Sequence, residues 1–383
     1  MKIAFLSRIL YLSGVTTHIR DLAQGLIEEG HTVHLLTAGV QFEEHNGMSD
    51  LYDSLVNVGV KVINVGYPKK GGKLGYLRLI PAFFETWRIF VREKYDIIHV
   101  HTPVLSFIPK ILGYKFITTV HCAQMNIGIF DREPNQQIAI SKEVFEEGVA
   151  RGISRDKISL VYNGVNTRYL TPVSQDTVSE LKSKYNIPEG KTVIGYVGTL
   201  CHRKGLDILV KACAALPEQG LKDKVHIVFC GNFDNDGEKE WLYGVIEKEK
   251  QWDNVTFIPF CDPYYVYKVF DIFVLPSRLE GFGLVSVEAM LSGNCCVRSN
   301  VEGAEEQIED GVTGFLFESG NCAQLSAILA SLVADEPKRL RVAQAGREYA
   351  KENFTYKVMC QKTLAAYRKL LSDWKKVELS KLK

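Results

Sequence analysis

Two carboxylates eight residues apart, Glu280 and Glu288, frame a glycine-flanked turn, Gly281-Phe282-Gly283. The turn follows an apolar run, Ile272 to Leu275, that Pro276 and Ser277 end; the run reads as a buried parallel strand. A helix is expected to begin near Phe282 to Leu284 and to carry Glu288. The backbone N–H groups of Gly283, Leu284 and Val285 would then lack helical acceptors and sit at the positive end of the helix dipole, which suits an anion. Carboxylates repel anions, so each must serve something else, such as hydroxyls. A ligand carrying both phosphates and hydroxyls, of the nucleotide-sugar kind, fits the pattern.

A second cluster, Gly198-Thr-Leu-Cys-His-Arg203-Lys204-Gly205, lies between a strand and a helix. The carboxyl end of a parallel strand is where open α/β sheets bind ligands. There Arg203 and Lys204 would neutralise a diphosphate, the arginine as a fork and the lysine as a point charge; the bland alternative is a solvated basic loop. Gly195 and Gly198 do not complete the Gly-x-Gly-x-x-Gly spacing, so a dinucleotide fingerprint is weak. His121, at a strand end, reads as functional. His99 reads as sheet-end packing, His101 as either, and His18, His31 and His202 as surface or capping residues. Three histidines on neighbouring strands raise zinc, but no cysteine or carboxylate stands at suitable spacing, so neither metal nor cofactor is expected.

Strand ends must position both clusters, and the chain supplies them by alternating short apolar runs with helical patterns, the mark of parallel sheets with crossover helices. Strands are expected at Lys2–Leu6, Thr32–Leu36, Val60–Val65, Tyr95–Val100, Lys115–Val120, Gln136–Ile140 and Ile158–Val161. Asn163-Gly164-Val165-Asn166 is a turn signal, and a polar segment reaching about Ser174 reads as the interdomain linker. The alternation restarts with strands at Thr192–Val197, Val225–Cys230, Val255–Ile258, Ile272–Leu275, Cys295–Arg298 and Phe315–Phe317. Leu74 to Lys94 is helical with Pro81 near its middle, where the helix should start or kink. Thr355 to Leu371 is an amphipathic helix that can return to brace the first domain, and the charged tail Lys375 to Lys383 is expected to fray.

At 383 residues the chain has room for two domains of roughly 100–200 residues. A net charge of +1 gives no global field to draw it to nucleic acid or membrane. Ser7-Arg8 interrupts the N-terminal apolar run too soon for a signal peptide, and no spanning helix is expected. The nine cysteines include no Cys-x-x-Cys and read as buried thiols of a cytoplasmic protein.

Taken together in order, these stretches resemble the retaining glycosyltransferases of family 4. The resemblance covers nearly the whole chain. Its marks are Ser13-Gly14, Asp96-Ile-Ile-His-Val-His101, Thr119-Val-His121 and Asn163-Gly-Val-Asn166, followed by Gly198 through Gly205. Glu280 to Glu288, fitting an E-x7-E motif, and Asp310-Gly-Val-Thr-Gly314 complete the series. The resemblance implies an α/β protein of GT-B fold. Two Rossmann-like parallel-sheet domains would face each other across a cleft: residues 1–170, acceptor-binding and joined by a returning helix at 356–383, and residues 171–355, donor-binding. It implies transfer of a sugar from a nucleotide-diphosphate donor, UDP-sugar favoured, to a hydroxyl of a saccharide, lipid-linked or small-molecule acceptor, without a metal. By position, Arg203 and Lys204 would hold the diphosphate and Glu280 the sugar hydroxyls. Gly281, Phe282 and Gly283 would supply backbone contacts. Leu284 and Val285 amides would meet phosphate and Glu288 the ribose. Gly14 would approach the phosphate, His121 the sugar, and domain closure would complete the site. The acceptor hydroxyl would attack the face that the leaving group vacates and pass its proton to the departing phosphate, so no separate general base is needed.

Some stretches fit less well. The family often reads Gly-Gly-x-Pro-Glu where this chain has Glu302-Gly303-Ala304-Glu305-Glu306. Asp234-Asn-Asp236 matches the Asp-x-Asp of metal-dependent glycosyltransferases of another fold, but reads as a solvated turn. Pro68 to Lys73 and the aromatic run through Phe90 would serve a peripheral contact at the inner membrane face; the bland alternative is a core-facing helix behind a lysine loop. A nucleotide-sugar 2-epimerase and a non-catalytic binding subunit are the alternative functions on this fold.

Overall fold

A computed structural model describes residues 1–11, 13–39, 47–68, 79–122, 135–216 and 220–381. The chain forms two compact units, Met1–Gly164 with Tyr356–Lys383, and Val165–Thr355.

The first unit is built on seven strands: β1 (Lys2–Leu6), β2 (Thr32–Thr37), β3 (Lys61–Asn64), β4 (Ile97–Val100), β5 (Phe116–Val120), β6 (Gln136–Ala139) and β7 (Ile158–Leu160). They pair in the order β3-β2-β1-β4-β5-β6-β7, and all pairs are parallel. The inner strands β1, β4 and β5 are near-continuous apolar runs because helices cover both faces of a parallel sheet. The chain winds outward through β3, then returns to lay β4 beside β1. That reversal is the switch point where such sheets bind ligands. It places the start of the Gly14–Glu28 helix and the histidines after β4 and β5 at one end of the sheet.

The second unit repeats the plan with β8 (Thr192–Val197), β9 (Val225–Cys230), β10 (Val255–Ile258), β11 (Ile272–Leu275), β12 (Cys295–Ser299) and β13 (Phe315–Phe317). Their order is β10-β9-β8-β11-β12-β13. Here the reversal sets β8 beside β11, with Phe273 opposite Gly195. The loops leaving these two strands carry Arg203-Lys204 and Glu280, so topology joins clusters that lie 76 residues apart.

The helix Tyr356–Lys381 belongs to the first unit. Tyr356, Met359, Cys360, Leu364, Tyr367 and Leu370 share one core with Leu22 and Leu26 of the first helix and Ile3 and Phe5 of β1. The two helices approach closely at Gly25, where an added Cβ would stand 2.8 Å from Cys360 Cβ. Tyr356 Oη donates to the Glu28 carboxylate at 2.8 Å. The helix continues to Lys381, past the point where the charged tail was expected to fray.

Other differences have local causes. The first helix begins at Gly14, where the Ser13 side chain caps it by accepting from the Thr16 amide. A helix at Gln175–Lys184, capped by Ser174, follows directly on the polar stretch read as linker. The Leu79–Glu93 helix carries Pro81 in its first turn, where the missing N–H costs nothing; Lys69 to Arg78 lie outside the described residues. That helix is more than core-facing. Ala82, Thr86, Ile89 and Phe90 are buried, but Ile80, Phe84, Trp87 and Val91 form a second, exposed stripe, each 44–58% accessible. Among the described residues no helix is long and apolar enough to cross a membrane. All nine cysteines are free thiols; Cys122, Cys261 and Cys322 are half-buried, the others buried.

Candidate functional site

The basic loop leaves β8 and folds flat against the exit of β11. A glycine at 205 permits this: its φ of +69° lies in the left-handed region, and an added Cβ would stand 2.0 Å from the Pro276 carbonyl oxygen. His202–Lys204 form a single 3-10 turn between Cys201 and Gly205. Arg278, which the motif reading passed over, fastens the loop. Its guanidinium donates to both Asp207 carboxylate oxygens at 2.9 and 3.0 Å and to the His202 carbonyl at 2.8 Å, while its backbone N–H donates to the Arg203 carbonyl at 2.9 Å. The available signal was charge spacing: Asp207 lies two residues after Gly205 and Arg278 two before Glu280.

Within this frame Lys204 Nζ donates to Glu280 Oε2 at 2.5 Å, with both side chains nearly covered. Ser277 Oγ donates to the same oxygen at 3.1 Å, and the Gly281 amide to Oε1 at 3.2 Å. Burial alone would raise the Glu280 pKa. The Lys204 charge and hydrogen bond, then Arg298 and Ser277, outweigh it, and the carboxyl is held below its ordinary value. Glu280 is therefore an ionised acceptor fixed in place. Arg203 stays exposed, its guanidinium 3.4 Å from the Leu279 carbonyl.

Behind the turn lies a residue that the sequence did not announce. Arg298, on β12, is fully buried. Its guanidinium bonds the Gln307 amide oxygen, the Phe282 carbonyl at 3.3 Å and the Glu302 carbonyl at 3.1 Å. Burial lowers its pKa to about 10, opposed by Glu280. The Glu302 departure thus enters the structure through its main chain, which any residue could supply, and Glu305 is exposed. The Phe282 ring packs edge-on against Phe354, leaving its backbone for the turn. Gly283, at φ +73°, precedes the Leu284–Ser292 helix without a capping side chain. The Leu284 and Val285 amides lie in the first turn, where no helical acceptor exists. Glu288 is buried one turn on, and Tyr267 Oη donates to its carboxylate at 2.8 Å. Asn235, between Asp234 and Asp236, caps the next helix.

In the first unit the structure gathers four histidines. His99 is fully engaged, by Tyr367 Oη at 2.7 Å and Thr119 Oγ1 at 2.6 Å. Its ring stacks on His101 at 4.1 Å between centroids. His101 Nδ1 lies 3.4 Å from His121 Nε2. His18, expected at the surface, is only 2% exposed, because the first helix turns it inward beside His121. Its Nδ1 hydrogen bonds to Asn163 Oδ1 at 2.8 Å. Burial pushes all four pKa values down, that of His18 to about 4, so the rings are neutral near pH 7. Gly14 is exposed at the start of the same helix.

Comparison with known proteins accounts for both units. The sequence model of glycosyl transferases group 1 matches residues 177–349, and that of glycosyltransferase family 4 matches 12–169. An uncharacterized glycosyltransferase of Methanocaldococcus jannaschii is 24% identical over 395 residues, covering 93% of this chain and 94% of that protein. A D-inositol 3-phosphate glycosyltransferase of Corynebacterium aurimucosum is 29% identical over 205 residues, covering 52% of this chain and 48% of that one. Among solved structures, a glycosyltransferase of Rickettsia africae superimposes with a TM-score of 0.82 at 21% identity, covering 97% of this chain and 98% of its own. Anabaena HepE in complex with UDP and glucose gives 0.77 at 23% identity, covering 95% and 98%. Two parallel-sheet domains, a switch point in each and these matches lead to one conclusion: the chain belongs to glycosyltransferase family 4, the GT-B enzymes that transfer a sugar from a nucleotide-sugar donor with retention of configuration.

Proposed function

We propose that the chain transfers a sugar from a UDP-sugar donor to a hydroxyl-bearing acceptor, with the β8/β11 switch point as its donor site. The Lys204–Glu280 pair carries this reading: a lysine and a carboxylate, buried together and fixed by Ser277 and Gly281. Lys204 and Arg203 hold the diphosphate, helped by the Leu284 and Val285 amides at the helix start. Negative charge grows on the phosphate oxygen as the bond to the sugar breaks. Fixed cations stabilise that charge more in the transition state than before it. Glu280 accepts from sugar hydroxyls with the backbone of Gly281, Phe282 and Gly283 beside it, and Glu288, aimed by Tyr267, accepts from the ribose. By their place in the family's motifs, Gly14 is assigned to the donor phosphate and His121 to the donor sugar. UDP is favoured because structural relatives such as HepE bind UDP and UDP-glucose.

The acceptor is a lipid or lies at a lipid surface. The exposed stripe Ile80, Phe84, Trp87 and Val91 supports this, flanked by the exposed Arg88 and Arg92. A basic-flanked apolar helix face suits an anionic membrane interface.

A thermal-shift panel of UDP-, GDP-, ADP- and TDP-sugars tests the donor. UDP-sugars should raise the melting temperature of the wild type and fail to raise that of Arg203→Ala. Stabilisation by another base alone would overturn the UDP assignment, and none by any donor would overturn the site.

A further inference from the structure

We propose that His18, His101 and His121 form a binding site for a divalent transition-metal ion of the zinc class, and that occupancy withdraws His121 from the donor. The second clause rests on the donor role given to His121 above. Each of the three rings offers a nitrogen within 4.8 Å of the other two. His101 Nδ1 and His121 Nε2 are 3.4 Å apart, close to the roughly 3.3 Å between ligands of a tetrahedral zinc with Zn–N near 2.0–2.1 Å. The two edges to His18 lie within the same 4.8 Å bound.

An unpaired nitrogen points the same way. Nε2 of His18 is buried without a hydrogen-bond partner among the described residues. The residue is only 2% exposed. A buried polar atom left unpaired costs about 1–3 kcal/mol, which a ligand would offset. Asn163 Oδ1 is an acceptor, so it fixes the proton of neutral His18 on Nδ1 and leaves the Nε2 lone pair for a metal. Metal-binding histidines commonly have their other ring nitrogen held by an oxygen acceptor in this way. His101 is held from its other face by the stacked ring of His99, itself tied to Tyr367 and Thr119. His121 is the least enclosed of the three. Three imidazoles with no carboxylate select zinc, cobalt, nickel or copper over magnesium or calcium. An ion that holds the His121 ring takes it from the donor, so the ion inhibits.

Cobalt reads the ligand set directly. Titrated into the chelator-treated full-length protein, Co2+ should bind with one equivalent, giving visible d–d absorption without the near-ultraviolet thiolate band. His18→Gln and His101→Gln should each weaken binding about 10–100-fold. His121→Asn, at the more accessible ring, should do the same if a buried substitution fails to fold. No d–d absorption, a spectrum dominated by thiolate, or a spectrum unchanged in these variants overturns the site. Zn2+ should also lower UDP release from a UDP-sugar about tenfold or more in the wild type, reversibly with chelator. One equivalent of bound cobalt without zinc inhibition would leave the metal site standing and overturn the donor role of His121.

Discussion

Lys204 and Glu280 are each explained by the other. Neither could be buried alone, since an unpaired charge there costs several kcal/mol. Lys204→Met should therefore do two things. It should lower the rate of UDP release from a UDP-sugar about 10²–10³-fold, the scale of losing one fixed transition-state contact. It should also let burial dominate at Glu280 and raise its pKa. In the wild type the depressed value keeps the carboxylate ionised, and its stabilising contribution is complete above the unfolded pKa of about 4.3 and lost as pH falls through the folded value. In Lys204→Met the acid limb of the pH–rate profile should shift to higher pH; an unshifted limb would show that Lys204 does not control Glu280. Tyr267 acts through Glu288. Tyr267→Phe should raise KM for the donor several-fold with kcat little changed, and equal losses in both would count against a ribose role.

At the scale of elements, the strands were the most legible. Five of the six expected in the second unit coincide with those found, because buried parallel strands are unbroken apolar runs bounded by glycine, proline or polar residues. Helix starts were less legible, as at Ser13 and Ser174, because a cap depends on backbone geometry that one serine does not announce. Arg298 was illegible for a related reason: its partners include the Phe282 and Glu302 carbonyls, which no side-chain spacing encodes. Arg278 left only a faint signal, its charge two residues before Glu280 and that of Asp207 two after Gly205. The inward turn of His18 likewise needs a neighbour, Asn163, that lies 145 residues on. Two elements yield predictions of their own. Gly25→Ala would push a Cβ into Cys360 across the two packed helices. It should cost about 1–3 kcal/mol and lower the melting temperature of the first unit by roughly 2–4 °C per kcal/mol, as calorimetry would show. On the Leu79–Glu93 helix, Phe84→Glu with Trp87→Glu should abolish co-sedimentation with anionic vesicles and leave UDP-sugar binding unchanged.

For the whole molecule, the two sheets show how one topology serves both units. Each reverses beside its first strand, and in the second unit the reversal gathers Arg203, Lys204 and Glu280. Nucleotide-sugar chemistry was legible because phosphates and hydroxyls demand particular residue types at strand ends. The base, the sugar and the acceptor were not, because main-chain contacts and unpatterned loops recognise them. The donor site is the centre of the account, and calorimetric titration of UDP tests it most directly. UDP should bind the wild type with one equivalent. Lys204→Met should weaken that binding at least about tenfold, the loss of one charge-assisted contact worth roughly 1.5–3 kcal/mol, while Phe84→Glu should bind as the wild type does. Equal affinity in the wild type and Lys204→Met would contradict the account.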